Sequence, residues 1–285
     1  LRGLLRGPKI GHAGTLDPAA TGVLPVLVGR ATRIAEYLMD WDKEYRAVLR
    51  LGETTDTQDA TGSILTTSQT DGLTGDAIRS TIARFQGRVT QLPPMYSAVK
   101  VGGVPLYKAA RAGRMVERSS REVSVHEIEV LGMTGRDVSL RVRCAKGTYV
   151  RTLCADIGEA LGVGGHLLAL ERRRVGPLTI ERALTIDDIK SRLLLGQLAE
   201  DLISLDQALA GLPALAVDEA AAVRVLHGVP VPLRAIQWAV GGSGVEGLSG
   251  RPVRLKDQAG RLLALGRVPA EGLRASALAA EPVVA

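Results

Sequence analysis

Strand-like alternation and helix-like spacing succeed one another along this chain without a regular strand–helix–strand period, and that irregular interleaving limits the folds open to it. Residues 45–51 alternate in polarity as a half-buried strand does, and residues 123–131 and 138–143 flank a Gly-Arg-Asp turn as neighbouring strands. Helical spacing marks residues 32–39 and residues 150–161, the latter stopped by Gly162, and it returns over residues 76–85 behind Thr74, a capping residue. The pattern predicts an α+β fold with a mixed or antiparallel sheet. Composition shifts after residue 210: an Ala-rich helix is followed by short strand-like runs, and residues 253–255 and 262–268 read as a hairpin joined by a four-residue turn. The expected organisation is a large domain over residues 1–210 and a small β-rich domain over residues 211–285, with an Ala-rich tail after Arg274 that frays.

With 285 residues and 46% apolar content, the chain can bury a substantial core, which excludes intrinsic disorder. No apolar run approaches the ~18 residues needed to cross a bilayer, and the N-terminus lacks the pattern of an export signal, so a cytoplasmic protein without membrane association is expected. The chain starts at Leu1 and reads as an N-terminal fragment. Cys144 and Cys154 are too few for a disulfide framework and read as reduced, buried thiols. The histidines His12, His126, His166 and His227 are scattered singly, so neither a metal nor another cofactor is expected. Net charge is +6, and arginine supplies 29 of the 36 cationic residues. A guanidinium grips phosphate oxygens in a bidentate way, which leans toward a polyanionic partner; the codon bias of a GC-rich genome explains the same excess.

Two segments concentrate chemistry-bearing residues. Residues 11–22 set His12 and Asp17 among three glycines and a proline, a rigid loop able to present a carboxylate. Asp followed by Pro and two Ala is also a helix N-cap with proline at the first helical position, and taken alone the pattern favours the cap. The second segment, residues 144–153, reads as a strand end, a glycine break and a helix start, with Tyr149 and Arg151 placed to lean into one cleft or to serve as packing and a surface ion pair. Residues 91–104 read as an ordered functional loop. Arg111, Arg114, Arg118 and Arg121 recur at spacings of three or four, so part of the series is expected on one positive helical face before a strand starts near Glu122.

The loop Gly11-His12-Ala13-Gly14-Thr15-Leu16-Asp17-Pro18-x-Ala20-Thr21-Gly22 resembles the signature of the TruB family, the bacterial tRNA pseudouridine synthases that act on uridine 55 of the TΨC loop. Lys43-x-Tyr45, Gly52-x-x-Thr55-Asp56-Thr57-x-Asp59-Ala60-x-Gly62, Met95-Tyr96-Ser97-Ala98-x-Lys100, Lys146-Gly147-Thr148-Tyr149-x-Arg151-Thr152 and Gly165-His166-x-x-x-Leu170 follow in the family's order. The resemblance implies a pseudouridine synthase catalytic domain and a C-terminal, RNA-binding PUA-like domain. It implies that Asp17 is the catalytic aspartate, Arg151 its paired arginine, Tyr45 the tyrosine stacked on the target base and Tyr149 a second active-site tyrosine. By the same resemblance Leu170 lines the pocket, His12 holds the opened T-loop, and residues 93–120 form a mobile insertion that closes over RNA; Lys146, Arg172 and Arg173 are further expected to contact substrate. The implied substrate is the T-arm stem-loop of tRNA, bound by a monomer with no obligatory protein partner. The family has a further strand and a Lys-Pro-x-Gly segment ahead of Leu1, and a bulkier apolar residue at the position of Ala19. The guide-RNA-dependent relatives of archaea and eukaryotes share this core, and a non-catalytic tRNA-binding or folding module is a third reading, against which intact Asp17, Tyr45 and Arg151 weigh.

The chemistry these roles imply demands neither metal nor redox carrier. The N1–C1′ bond breaks, the uracil turns, and C5 joins C1′ with loss of its proton, for which Tyr45, Tyr149 or a water between them is a candidate acceptor. An arginine beside Asp17 is expected to lower its pKa by ~1–3 units. Extruding the base costs a few kcal/mol, of which stacking on Tyr45 returns ~1–3 kcal/mol while His12 fills the vacated place. Arginines 111, 114, 118, 121 and 172–174, with those between 251 and 267, are expected to grip phosphates.

Overall fold

The computed structural model describes residues 1–97, 99–114, 116–232, 236–237, 248–267 and 277–282. The chain is α+β and divides into two compact units, one of residues 13–25 and 37–183, the other of residues 1–12, 26–36 and 184–285. The boundary expected at residue 210 falls inside the second unit.

The first unit is built on a seven-stranded mixed sheet in the order Leu178–Thr179, Gly165–Val175, Lys43–Leu51, Asp137–Cys144, Arg121–Thr134, Gly87–Gln91, with Thr21–Gly22 pairing parallel to Gly165–Val175. The expected strand at 45–51 is its centre, and alternation does there what the sequence pattern predicts: Lys43, Ala47, Leu49 and Leu51 are buried while Glu44, Arg46, Val48 and Arg50 lie on the other face. Leu140 and Val142 from the neighbouring strand extend the apolar layer, which the helices Val150–Ala160 and Gly75–Ala83 cover with Leu153, Ile157, Ile78 and Ile82. Each such side chain contributes about 1.5–3 kcal/mol by leaving water. Thr74 caps the Gly75–Ala83 helix by accepting from Ala77 N at 3.2 Å, as expected. Cys144 and Cys154 are free and buried here, and burial pushes the Cys144 thiol up to about 12.

Two local expectations fail. No helix follows Asp17: Asp17-Pro18-Ala19-Ala20 closes a single turn through Ala20 N donating to Asp17 O at 2.9 Å, after which Thr21–Gly22 joins the sheet. Strand pairing captures the chain before a second helical turn forms, so the Asp17 carboxylate caps nothing. Among the described residues the basic helical face is likewise absent. The helix Leu106–Arg111 stops where Gly113 adopts φ +65°, with Arg114 N closing on Ala109 O, and residues 116–120 run irregularly into the strand that starts at Arg121. The side chain of Arg111 lies outside the described residues.

Gly22 is the tightest point of the short parallel pairing. Its φ is +104°, and a Cβ there would sit 2.2 Å from the carbonyl oxygen of Arg172. Gly22→Ala is expected to cost about 2–5 kcal/mol, the sum of left-handed backbone strain and a main-chain clash, measurable as a lowered midpoint in urea unfolding.

In the second unit, residues 214–282 form a six-stranded sheet in the order Val231–Pro232, Ala277–Pro282, Leu262–Arg267, Pro252–Lys256, Ala214–Val217, Ile236–Gln237. It has its own core of Leu215, Val217, Val225, Val253, Leu255 and Ala264, covered by the helix Glu219–Leu226, whose first turn Asp218 caps. The expected hairpin is present as Pro252–Lys256 and Leu262–Arg267; Val268 lies outside the described residues. The Ala-rich tail was expected to fray, yet Ala277–Pro282 pairs with Leu262–Arg267, because an unpaired neighbouring strand offers its backbone groups partners that water would otherwise supply. Residues 275–276 and 283–285 of that tail lie outside the described residues. No helix among the described residues is long and apolar enough to cross a membrane.

Candidate active site

The site is assembled around Arg151, which stands in the first turn of the helix Val150–Ala160 and is 3% exposed. A buried guanidinium needs oxygens around its nitrogens, and Arg151 has them, although its Nε meets Asp17 at ion-pair distance without hydrogen-bond geometry. Its Nε lies 2.7 Å from Asp17 Oδ2 and its Nη2 donates to Asp17 Oδ1 at 3.1 Å, a two-point ion pair. Nη2 also donates to the carbonyl of Tyr96 at 2.9 Å, and Nη1 donates to the carbonyl of Thr57 at 3.3 Å and to Asp59 Oδ2 at 3.5 Å. One cation therefore serves two carboxylates brought from loops 42 residues apart in sequence.

The two carboxylates are not equivalent. Asp59 is buried at the turn between the paired strands Glu53–Thr55 and Ile64–Thr67. Its Oδ1 accepts from Thr57 Oγ1 at 2.8 Å, Thr61 N at 3.0 Å and Thr61 Oγ1 at 2.5 Å. Burial acts to raise its pKa, but the threonine hydrogen bonds and Arg151 together overcome burial and hold Asp59 below the ordinary carboxylate value. Asp17 has no such set of donors. Its side chain stays 34% exposed at the mouth of the site, and burial of the rest pushes its pKa above the ordinary value, against the pull of Arg151 and with the Asp59 charge adding to the rise. The expectation that Arg151 would leave Asp17 with a lowered pKa is thus corrected: Arg151 pulls downward but is shared with an already ionised partner, and burial prevails. Two carboxylates on one cation, pushed in opposite directions, give one permanent counter-charge and one group poised to react.

Tyr45 lies on the central strand, half-buried against the core and within electrostatic reach of Asp17 and Arg172. Burial pushes its hydroxyl up to about 12, so it is a neutral phenol, hydrogen-bonded to Arg172, with no phenolate to accept a proton. Tyr149 ends the turn before the Arg151 helix. The buried Gln91 side chain brackets its main chain, accepting from Tyr149 N at 3.0 Å and donating to Tyr149 O at 3.1 Å, while the Arg121 guanidinium lies 5.0 Å from the Tyr149 ring centre. Leu170 sits on the strand Gly165–Val175 opposite Ala47, two positions from Tyr45, packed against the same core.

The remaining expected site residues make other contacts. Lys146 is exposed and paired with Asp40 at 2.7 Å. Arg173 is partly exposed and paired with Glu171 and Glu181. His12 is exposed at the end of the strand Ile10–His12 in the other unit. Arg172 was expected to grip phosphate, but it is 2% exposed and spends its donors on main-chain carbonyls and the Tyr45 hydroxyl, because strand alternation turns it inward on the face of Tyr45. Arg118 and Arg121 are similarly committed, to Pro93 O and Gly147 O, and Arg254 is held by Asp206. Sequence reasoning gave no role to Asp59 or Gln91. A usable signal existed for Asp59: an Asp flanked by threonines two residues away on either side is a side-chain-to-backbone turn pattern.

Comparison with known proteins bears on this geometry. The family described as "TruB family pseudouridylate synthase (N terminal domain)" matches residues 2–150, and "tRNA pseudouridylate synthase B C-terminal domain" matches residues 151–214. The chain is 49% identical over 191 residues to the protein named tRNA pseudouridine synthase B of Francisella philomiragia, an alignment covering 67% of this chain and 63% of that one. It is 42% identical over 272 residues to the protein of that name from Aromatoleum aromaticum, covering 95% of this chain and 83% of the relative. Among solved structures, a Cbf5-Nop10-Gar1 complex contains a chain that matches with a TM-score of 0.74 and 30% identity over 99% of this chain and 77% of that one.

Proposed function

The chain belongs to the TruB family of pseudouridylate synthases, and from that premise we propose that it isomerises uridine to pseudouridine at position 55 in the TΨC loop of tRNA. The observation that carries this reading is the two-point contact of Asp17 with Arg151 at a partly open carboxylate, backed by the fully satisfied Asp59. Asp17 is the group that acts on the flipped nucleotide. Arg151 aims the carboxylate and, because Asp59 already supplies a permanent countercharge, it can release part of its hold on Asp17 as the reaction draws on that oxygen. Tyr45 stacks on the extruded base, a role its neutral phenol ring suits. Tyr149 and Leu170 wall the pocket, and the C5 proton leaves to water while N1 takes up a proton, so the isomerisation balances. The residues around Tyr96, whose carbonyl touches Arg151, root an insertion over 93–120 that closes on RNA.

In the same reading residues 1–210 carry the reaction and residues 211–285 form a PUA-like RNA-binding domain. His12 enters the opened T-loop, Lys146 and Arg173 exchange their surface carboxylate partners for phosphate, and the protein works as a cytoplasmic monomer without protein partner or cofactor.

Incubating the pure protein with an unmodified tRNA transcript and mapping pseudouridine by chemical modification tests the proposal. Conversion at uridine 55 alone, independent of added guide RNA, is expected. Conversion that requires a guide RNA favours the mode of the Cbf5-like relatives, and tRNA binding without conversion makes the chain a binding module.

A further inference from the structure

We propose that Arg172 is a positioning residue, a buried guanidinium that clamps both flanks of the Asp17 loop and gives the site a second fixed positive charge. The inference rests on the pseudouridine synthase reading above and extends it to a side chain that does not touch substrate. Arg172 Nη2 donates to Gly14 O at 3.0 Å and Nη1 to Thr15 O at 3.4 Å, on the approach to Asp17. Its Nε donates to Val23 O at 2.7 Å, on the departure, and its own carbonyl accepts from Val23 N at 2.8 Å. One residue thus ties down both ends of the ten-residue stretch, 14–23, that carries the carboxylate. Otherwise that stretch is braced by the Ala20 N to Asp17 O turn and the short parallel pairing of Thr21–Gly22.

The chemistry of the clamp is unusual. Buried guanidinium groups are normally paired with carboxylates, because an uncompensated charge in the interior is costly. Among the described residues Arg172 has no carboxylate within ion-pair distance and is solvated by three main-chain carbonyls and the Tyr45 hydroxyl. Lys43, also buried, is held in the same way by the carbonyls of Met39 and Trp41, and burial together with the Arg172 charge pushes its pKa down. A hydrocarbon side chain would fill this volume at lower cost if packing were all that was needed. The groups acting on Asp17 are Arg151, Asp59 and Arg172, and Arg172 opposes the burial that favours the protonated acid. The clamp therefore both places the carboxylate and favours its ionised form.

The test compares wild type, Arg172→Lys and Arg172→Met in single-turnover conversion of a tRNA transcript, with circular dichroism to verify folding and filter binding across a salt series. Arg172→Lys keeps the charge but cannot span three carbonyls; its rate is expected to fall about 100-fold, with affinity within about threefold and the acidic limb of its pH–rate profile unmoved. Arg172→Met is expected to be slower still, with that limb displaced to higher pH. A wild-type rate in folded Arg172→Lys overturns the inference. So does weakened tRNA binding with a salt slope reduced by about 0.7–0.9 and an unchanged rate, which would make Arg172 a phosphate ligand after all. Failure of Arg172→Lys to fold also overturns it, in favour of a purely structural role. If the wild type itself converts no uridine, the pseudouridine synthase reading fails instead.

Discussion

Asp17→Asn is expected to abolish pseudouridine formation, by about 10⁴-fold or more, while tRNA binding stays within about tenfold, or ~1.4 kcal/mol. The size follows from the reaction: asparagine keeps the shape and can still meet Arg151, but it has neither the charge nor the nucleophilic oxygen. Stability should move the other way. The folded-state pKa of Asp17 lies above its unfolded value, so its ionised form is disfavoured by folding; the cost is absent at acid pH and present once pH rises through the folded pKa. Asn has no such cost, so at neutral pH the variant should unfold at a denaturant midpoint no lower than that of wild type. The same shift sets the acidic limb of the wild-type pH–rate profile above the ordinary carboxylate value of 3.8. Residual turnover in Asp17→Asn, measured by mass spectrometry of the tRNA, would remove Asp17 from its assigned role.

Arg151→Met is expected to combine a loss of rate of about 10³-fold with a loss of stability of about 3–5 kcal/mol. Methionine fills much of the volume, so the damage is electrostatic: Asp17 and Asp59 face one another with their shared cation gone, and the carbonyls of Tyr96 and Thr57 lose a donor. Because Asp59 has a lowered folded pKa, it contributes stability above its unfolded pKa that is lost as pH falls through the folded value. Part of that contribution comes from Arg151 and disappears in the variant. The double variant Arg151→Met with Asp59→Asn should recover part of the stability by removing one buried charge, and none of the activity. Urea unfolding and single-turnover assays of the three proteins read the two effects separately; recovery of activity in the double variant would contradict the assignment of Arg151 as the group that aims Asp17.

Much of the architecture was legible one segment at a time. The alternation of residues 45–51, the Thr74 cap, the Gly162 stop and the hairpin around residues 257–260 are local matters, decided by side-chain period and turn chemistry, and the structure follows them. The failures share a cause. The Asp-Pro-Ala-Ala pattern favours a helix, but Thr21–Gly22 is captured by a strand from residues 165–175, a partner about 150 positions away. Three consecutive arginines, 172 to 174, read as a phosphate grip, but register against Tyr45 sends the first of them into the interior.

The candidate site divides along the same line. Asp17 and Arg151 stand out in the sequence because motifs around them are rigid and polar; that they touch, at 2.7 Å, depends on a loop and a helix 134 residues apart converging. The sequence by itself determined which side chains are available for chemistry, since residue type and local backbone preference are properties of a few neighbouring positions. Only the tertiary structure decided that Asp59 shares the arginine, that Asp17 lies above its ordinary pKa and that Arg172 faces inward. Burial, charge proximity and strand register are each set by residues distant in the chain.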